Sequence, residues 1–135
     1  MEDMKKVYAF LEQAGVFFLA TEDGEQAKCR PLGFKMMENF TIYFGIGTHK
    51  NVYNQLQRNA NCEICACVKD KFLRFYGKAV FDTAPEFEQK ALNVMPDLKR
   101  IYNGDTGLKM GVFHLENGKA EFCNVKGQVE ESLSF

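Results

Sequence analysis

Apolar and polar positions alternate along this chain in short runs, and the runs predict strands more often than helices. Met4, Val7, Tyr8, Leu11 and Ala14 recur at helical spacing and predict an N-terminal helix, which Gly15 stops. Val16-Phe17-Phe18-Leu19-Ala20-Thr21 is apolar on both faces and reads as a buried strand. Asp23-Gly24 marks a tight turn, so residues 26–37 pair back as a second strand. Glu38-Asn39 turns the chain into a third strand over 40–46, rich in aromatic and β-branched side chains. After a break at Gly47, the positions Val52, Leu56 and Ala60 step along one face of a second helix.

A fourth strand is expected over 62–68 and a fifth over 71–81. In the latter Leu73, Phe75, Gly77, Ala79 and Phe81 share one face, while Arg74, Tyr76 and Lys78 share the other. Thr83 and Glu86 have the spacing of a capping box, with Pro85 in the first turn of a third helix. Met95-Pro96 interrupts that helix, and Leu98, Ile101 and Tyr102 predict a short helical piece beyond it. Residues 110–115 and 119–125 read as a last hairpin around Asn117-Gly118. Antiparallel hairpins dominate and helices enter singly, which argues against a doubly wound sheet and for a mainly β (α+β) barrel with flanking helices.

The chain has 135 residues, expected to form a single domain over 1–135. Its 17 basic and 18 acidic residues create no overall field that favours nucleic acid or an anionic membrane. No apolar run reaches membrane-spanning length, and the opening Met1-Glu2-Asp3-Met4-Lys5-Lys6 lacks the order of a signal peptide, so a cytoplasmic location is expected. The five cysteines, Cys29, Cys62, Cys65, Cys67 and Cys123, are expected as thiols rather than a disulfide framework. Cys62-x-x-Cys65-x-Cys67 has no matching second cluster, and in a strand Cys62 points away from Cys65 and Cys67; no metal site is expected.

Two segments carry candidate chemistry. In Tyr43-Phe44-Gly45-Ile46-Gly47-Thr48-His49-Lys50-Asn51 a strand meets two glycines, then hydroxyl, basic and amide side chains, then a helix start. A helix N-terminus offers unpaired N–H groups and partial positive charge, glycine permits close approach, and Lys50 adds a full charge. Such a corner can seat a phosphate; equally, Thr48 can simply cap the helix while Lys50 stays solvated. In Lys28-Cys29-Arg30-Pro31-Leu32 a proline inside a strand belongs at an edge, a bulge or a ligand-facing stretch, and Arg30 brings a rigid donor fork. An exposed, ion-paired arginine on an edge strand would account for the same pattern.

With these segments the chain resembles the pyridoxamine 5'-phosphate oxidase-like flavoproteins. The residues are Phe17-Phe18-Leu19-Ala20-Thr21-x-Asp23-Gly24, Arg30-Pro31-Leu32, Phe44-Gly45-x-Gly47-Thr48-x-Lys50 with Asn51, and Phe72-Leu73-Arg74-Phe75-Tyr76-Gly77-Lys78-Ala79, in that order. The resemblance implies an antiparallel split β-barrel that forms a homodimer with FMN at the subunit interface. It implies that Thr48 and Lys50 contact the flavin phosphate, with Asn51 nearby, that Arg30 reaches the phosphate or ribityl region, and that Pro31 and Leu32 lie along the ring. Arg74 would meet the partner's flavin or pair at the dimer surface. The likeness is confined to the flavin site: the last arginine is Arg100 and there is no tryptophan, whereas the true oxidase carries arginine, histidine and tryptophan near its C-terminus. The expectation is an FMN-dependent oxidoreductase acting on a small-molecule substrate, with NAD(P)H as a candidate electron donor and no side chain singled out as catalytic. A flavin carrier or sensor, or a split barrel holding haem or deazaflavin, would use the same frame.

Overall fold

Tight turns set the topology. The computed structural model of the chain describes residues 2–135. Helix α1 (Glu2–Ala14) buries Val7 and Leu11 and ends where Gly15, at φ +77°, donates its N–H to the Leu11 carbonyl. Strands β1 (Phe17–Asp23) and β2 (Gln26–Leu32) form a hairpin through Gly24, whose φ of +66° suits a two-residue turn. Strand β3 (Lys35–Glu38) and strand β4 (Thr41–Gly47) form the next hairpin, with positive φ at Asn39 and Phe40. The expected second strand over 26–37 is therefore two strands, broken at Gly33-Phe34 where the chain crosses from one side of the barrel to the other.

Helix α2 (Asn51–Arg58) follows β4, and strands β5 (Asn61–Val68) and β6 (Lys71–Phe81) follow α2. Helix α3 (Pro85–Val94) leads into a 3-10 helix at Pro96–Arg100, then strands β7 (Met110–Asn124) and β8 (Val129–Ser134). The strand order is β2-β1-β5-β6-β7-β4-β3, with β8 on β7, and all pairs are antiparallel. The result is an antiparallel split barrel with flanking helices. Among the described residues no helix is long and apolar enough to cross a membrane.

Three local expectations fail for identifiable reasons. Residues 110–125 do not fold back at Asn117-Gly118. They run on as β7, paired with β6 from Phe81–Phe113 to Lys71–Asn124, and Asn117 (φ +55°) with Gly118 forms a bulge opposite Gly77. The Thr83–Glu86 capping box does not form; Ala84 is the cap residue, no side chain bonds there, and Pro85 starts the helix. Strand β1 is not buried on both faces: Phe17 and Leu19 are fully buried, whereas Phe18 is 47% exposed and Val16, just ahead of the strand, is 56% exposed.

Two apolar clusters hold the molecule. The larger fills the barrel with α1, α2 and the inward residues Phe17, Leu19, Phe44, Ile64, Leu73, Phe75 and Phe113. The smaller packs Ala91 of α3 and Tyr102 against Phe34, Met36, Met110 and Val112 on the outside of β3, β4 and β7. Burying a side chain of this size contributes about 1.5–3 kcal/mol. The link between β2 and β3 runs along the border of the two clusters, and a cleft opens there.

Candidate functional site

The cleft, of about 260 Å³, is walled by Arg30, Pro31, Leu32 and Phe34 from the β2–β3 crossing, by Gly45 and Ile46 of β4, and by Lys50 and Val52 at the start of α2. Its outer wall is Met95, Leu98, Ile101 and Tyr102. Folding thus gathers Arg30, Pro31, Leu32 and Lys50, from two separate sequence segments, around one space.

Pro31 is tolerated because β2 is the outermost strand of its edge. Arg30 lies opposite buried Leu19, so its side chain enters the inner side of the hairpin at the barrel rim. Its Nη1 donates to the Leu19 carbonyl (3.1 Å) and to Thr21 Oγ1 (2.6 Å), and its Nη2 donates to Gln55 Oε1 (2.9 Å). Partial burial lowers its pKa from an ordinary value so high that the guanidinium remains cationic. Among the described residues no carboxylate lies within ion-pairing distance of Arg30 or of Lys50. The cleft therefore holds two cations with no counter-charge.

Lys50 occupies the cap position of α2 with extended backbone (φ −87°, ψ 154°), and no side chain caps the helix. The Lys50 N–H is taken by the Gly47 carbonyl and the Tyr53 N–H by the Lys50 carbonyl. The N–H groups of Asn51 and Val52 have no acceptor within the helix. At Gly47 the backbone is closely covered: a Cβ there would sit 2.5 Å from His49 Cε1 and 2.9 Å from Tyr102 Oη, so a larger residue would displace those side chains. Tyr102 is buried, and desolvation raises its pKa, so the phenol stays protonated at neutral pH and serves as a donor rather than a base.

The remaining candidates fall elsewhere. Thr48 turns away: its N–H and hydroxyl both donate to the Lys109 carbonyl, at 2.9 and 3.3 Å, and it lines a neighbouring cleft of about 300 Å³ with Tyr53, Asp82 and Glu88. That larger cleft sets Asp82 and Glu88 against the single cation Lys109, whereas the smaller one has two cations and no carboxylate, so the smaller one suits an anion better. Asn51 is exposed at the helix start and lines neither space. Arg74 lies on the outer face of β6, held by Glu63 on β5 at 3.2 Å and 3.3 Å.

Sequence reading overlooked Tyr102, Gln55 and Thr21. Gln55 shares the buried face of α2 with Val52 and Leu56, and a polar residue at that helical spacing was the available signal. Among the described residues no three His, Cys, Asp or Glu side chains gather as a metal-binding set. Cys62 is buried, which pushes its thiol up to about 12, while Cys65 and Cys67 point to the other face.

The family model for pyridoxamine 5'-phosphate oxidase matches residues 4–122. No curated protein sequence matches the chain. Among solved structures, a NimC/NimA family protein from Clostridium acetobutylicum is 30% identical, with a TM-score of 0.84 over 97% of this chain and 94% of that one. General Stress Protein 26 from Bacillus anthracis is 14% identical, with a TM-score of 0.73 over the whole of both chains. A pyridoxamine 5'-phosphate oxidase-related, FMN binding protein from Nostoc punctiforme is 13% identical, with a TM-score of 0.62 over 97% of this chain and 95% of that one. The last two share the fold; the sequence match over most of the chain, joined to the first likeness, carries the further conclusion that this chain belongs to the pyridoxamine 5'-phosphate oxidase family.

Proposed function

We propose that the chain binds FMN in the cleft between the β2–β3 crossing and α2, as a homodimer, and acts as an oxidoreductase on a small molecule. The observation that carries this reading is the pair of uncompensated cations, Arg30 and Lys50, facing one space. Arg30 is partly buried without a counter-ion, which is costly, Lys50 is exposed beside it, and a phosphate dianion would complement both. The donor set fits: a rigid guanidinium, a lysine, the start of α2 at Val52 and a protonated phenol line the space, with apolar Pro31, Leu32, Leu98 and Ile101 beside it for a flat ring. Bound FMN supplies the hydride and electron chemistry.

In this reading Lys50 and Arg30 hold the phosphate at the start of α2, while Thr48, bound to the Lys109 carbonyl, and exposed Asn51 stay outside the cleft. Pro31 and Leu32 support the ring, and Met95 and Tyr102 limit water access. The cleft falls slightly below the roughly 300–1,000 Å³ usual for ligand sites, as suits a half-site that a second copy completes. Exposed Phe18 on the outer face of β1, with Val16 just ahead of the strand, supplies apolar surface for that contact, and Arg74 would approach the partner's cofactor. NAD(P)H is the candidate reductant.

The absorption spectrum of the purified protein, before and after incubation with FMN, tests the proposal. Flavin bands that remain with the protein on gel filtration support it, and protein that emerges colourless after incubation refutes it. Steady-state reduction of an acceptor panel by NADH or NADPH tests turnover; a silent panel with tight FMN would leave a flavin carrier.

A further inference from the structure

We infer that Gln55 and Thr21 are positioning residues that hold the Arg30 guanidinium at the cleft while leaving its charge uncancelled, so that the charge is available to an anion. The inference rests on the FMN reading and adds the device that makes Arg30 effective.

The geometry is a closed ring of hydrogen bonds. Arg30 Nη1 donates to Thr21 Oγ1 at 2.6 Å, the Thr21 hydroxyl donates to Gln55 Oε1 at 2.6 Å, and Arg30 Nη2 donates to the same Oε1 at 2.9 Å. Thr21 and Gln55 are buried, at 5% and 4% exposure, among a core otherwise made of apolar, tyrosine and cysteine side chains. Both are neutral. Arg58 and Arg74, by contrast, each meet a carboxylate, Asp23 and Glu63.

A buried amide on a core-facing helix position costs stability unless it is hydrogen-bonded, and an apolar side chain would serve packing alone. Glutamate would fit the same volume and grip the guanidinium harder. A neutral acceptor is the choice that fixes orientation without supplying the counter-charge. The ring also joins β1, β2 and α2, the helix that Lys50 caps five residues before Gln55.

The test compares affinities for FMN and riboflavin, which differ by the phosphate, in the full chain and in Gln55→Glu and Gln55→Leu, by flavin fluorescence, with thermal melting as a check on folding. Gln55→Glu keeps the acceptor and melts no lower than the parent, yet loses about tenfold or more in FMN affinity with riboflavin affinity unchanged. Gln55→Leu loses part of the same phosphate preference by releasing the guanidinium. An FMN-to-riboflavin ratio unchanged in Gln55→Glu, whatever the behaviour of Gln55→Leu, overturns the positioning role and leaves a structural tie. A parent chain that binds neither flavin is a different result, and it removes the FMN reading itself along with this inference.

Discussion

Pro31 and Arg74 lie on one row of one sheet face, separated by Phe18 and Cys65 on the intervening strands. Three strand spacings put them about 14 Å apart. Within one chain they cannot grip the same phosphate. The row between them carries half-exposed Phe18. Replacing Phe18 with Glu places a charge on this face without touching the barrel interior. The expected outcome is a halved mass by light scattering at micromolar concentration, together with weaker FMN binding. A variant that keeps the parent's mass would remove this face from the dimer.

Lys50 has no ion-pair partner among the described residues and is exposed, so its truncation should cost little stability. A charge-assisted contact to phosphate contributes about 1.5–3 kcal/mol, so Lys50→Ala should weaken FMN binding by about 10- to 150-fold with an unchanged melting temperature. Calorimetric titration against the parent protein checks it.

His114 sits away from the cleft, between two carboxylates: Nδ1 is 2.7 Å from Asp82 Oδ2 and Nε2 is 2.6 Å from Glu116 Oε2. Desolvation pulls its pKa down, but the hydrogen bonds to Asp82 and Glu116 outweigh it and the folded value lies above the ordinary 6.5. The histidine therefore binds its proton more tightly in the folded chain. Its stabilising contribution is complete below the unfolded value and fades as pH rises through the folded one. Denaturation midpoints measured from about pH 6 to about pH 9 should fall across that window, and His114→Gln should flatten this part of the profile.

The bulge between β6 and β7 makes Gly118 irreplaceable in a way unrelated to its φ. A Cβ there would lie 1.8 Å from the Tyr76 carbonyl oxygen and 2.7 Å from Gly77 Cα, both backbone atoms. Gly118→Ala should destabilise the protein by about 1–3 kcal/mol, through strain at the ladder rather than loss of any contact, and chemical denaturation measures it.

That same bulge marks a limit of sequence reading. Asn117-Gly118 carries the residues of a hairpin turn, and only the length of β6 opposite decides that the strand continues. Phe18 was read as buried because apolarity was the only guide, whereas in the single chain its face lies open. The strands around Asp23-Gly24 and Lys69-Asp70 were legible because short turns encode pairing locally. At the site, Arg30, Pro31, Leu32 and Lys50 were legible as two local motifs. Thr48 looked like part of the same corner, yet its hydroxyl is drawn to Lys109, 61 positions away. Tyr102 and the Gln55–Thr21 ring reach the cleft by tertiary packing alone, which no local pattern records.

Two cations without ion-pair partners line one cleft, and FMN carries a phosphate that riboflavin lacks. Parallel calorimetric titrations of the unmodified protein with FMN and with riboflavin isolate the contribution of that phosphate. The expected result is saturable FMN binding at one molecule per chain, at least tenfold tighter than riboflavin, as roughly 1.4 kcal/mol or more of phosphate contact requires. Equal affinity for the two flavins, or no saturable binding of either, would contradict it.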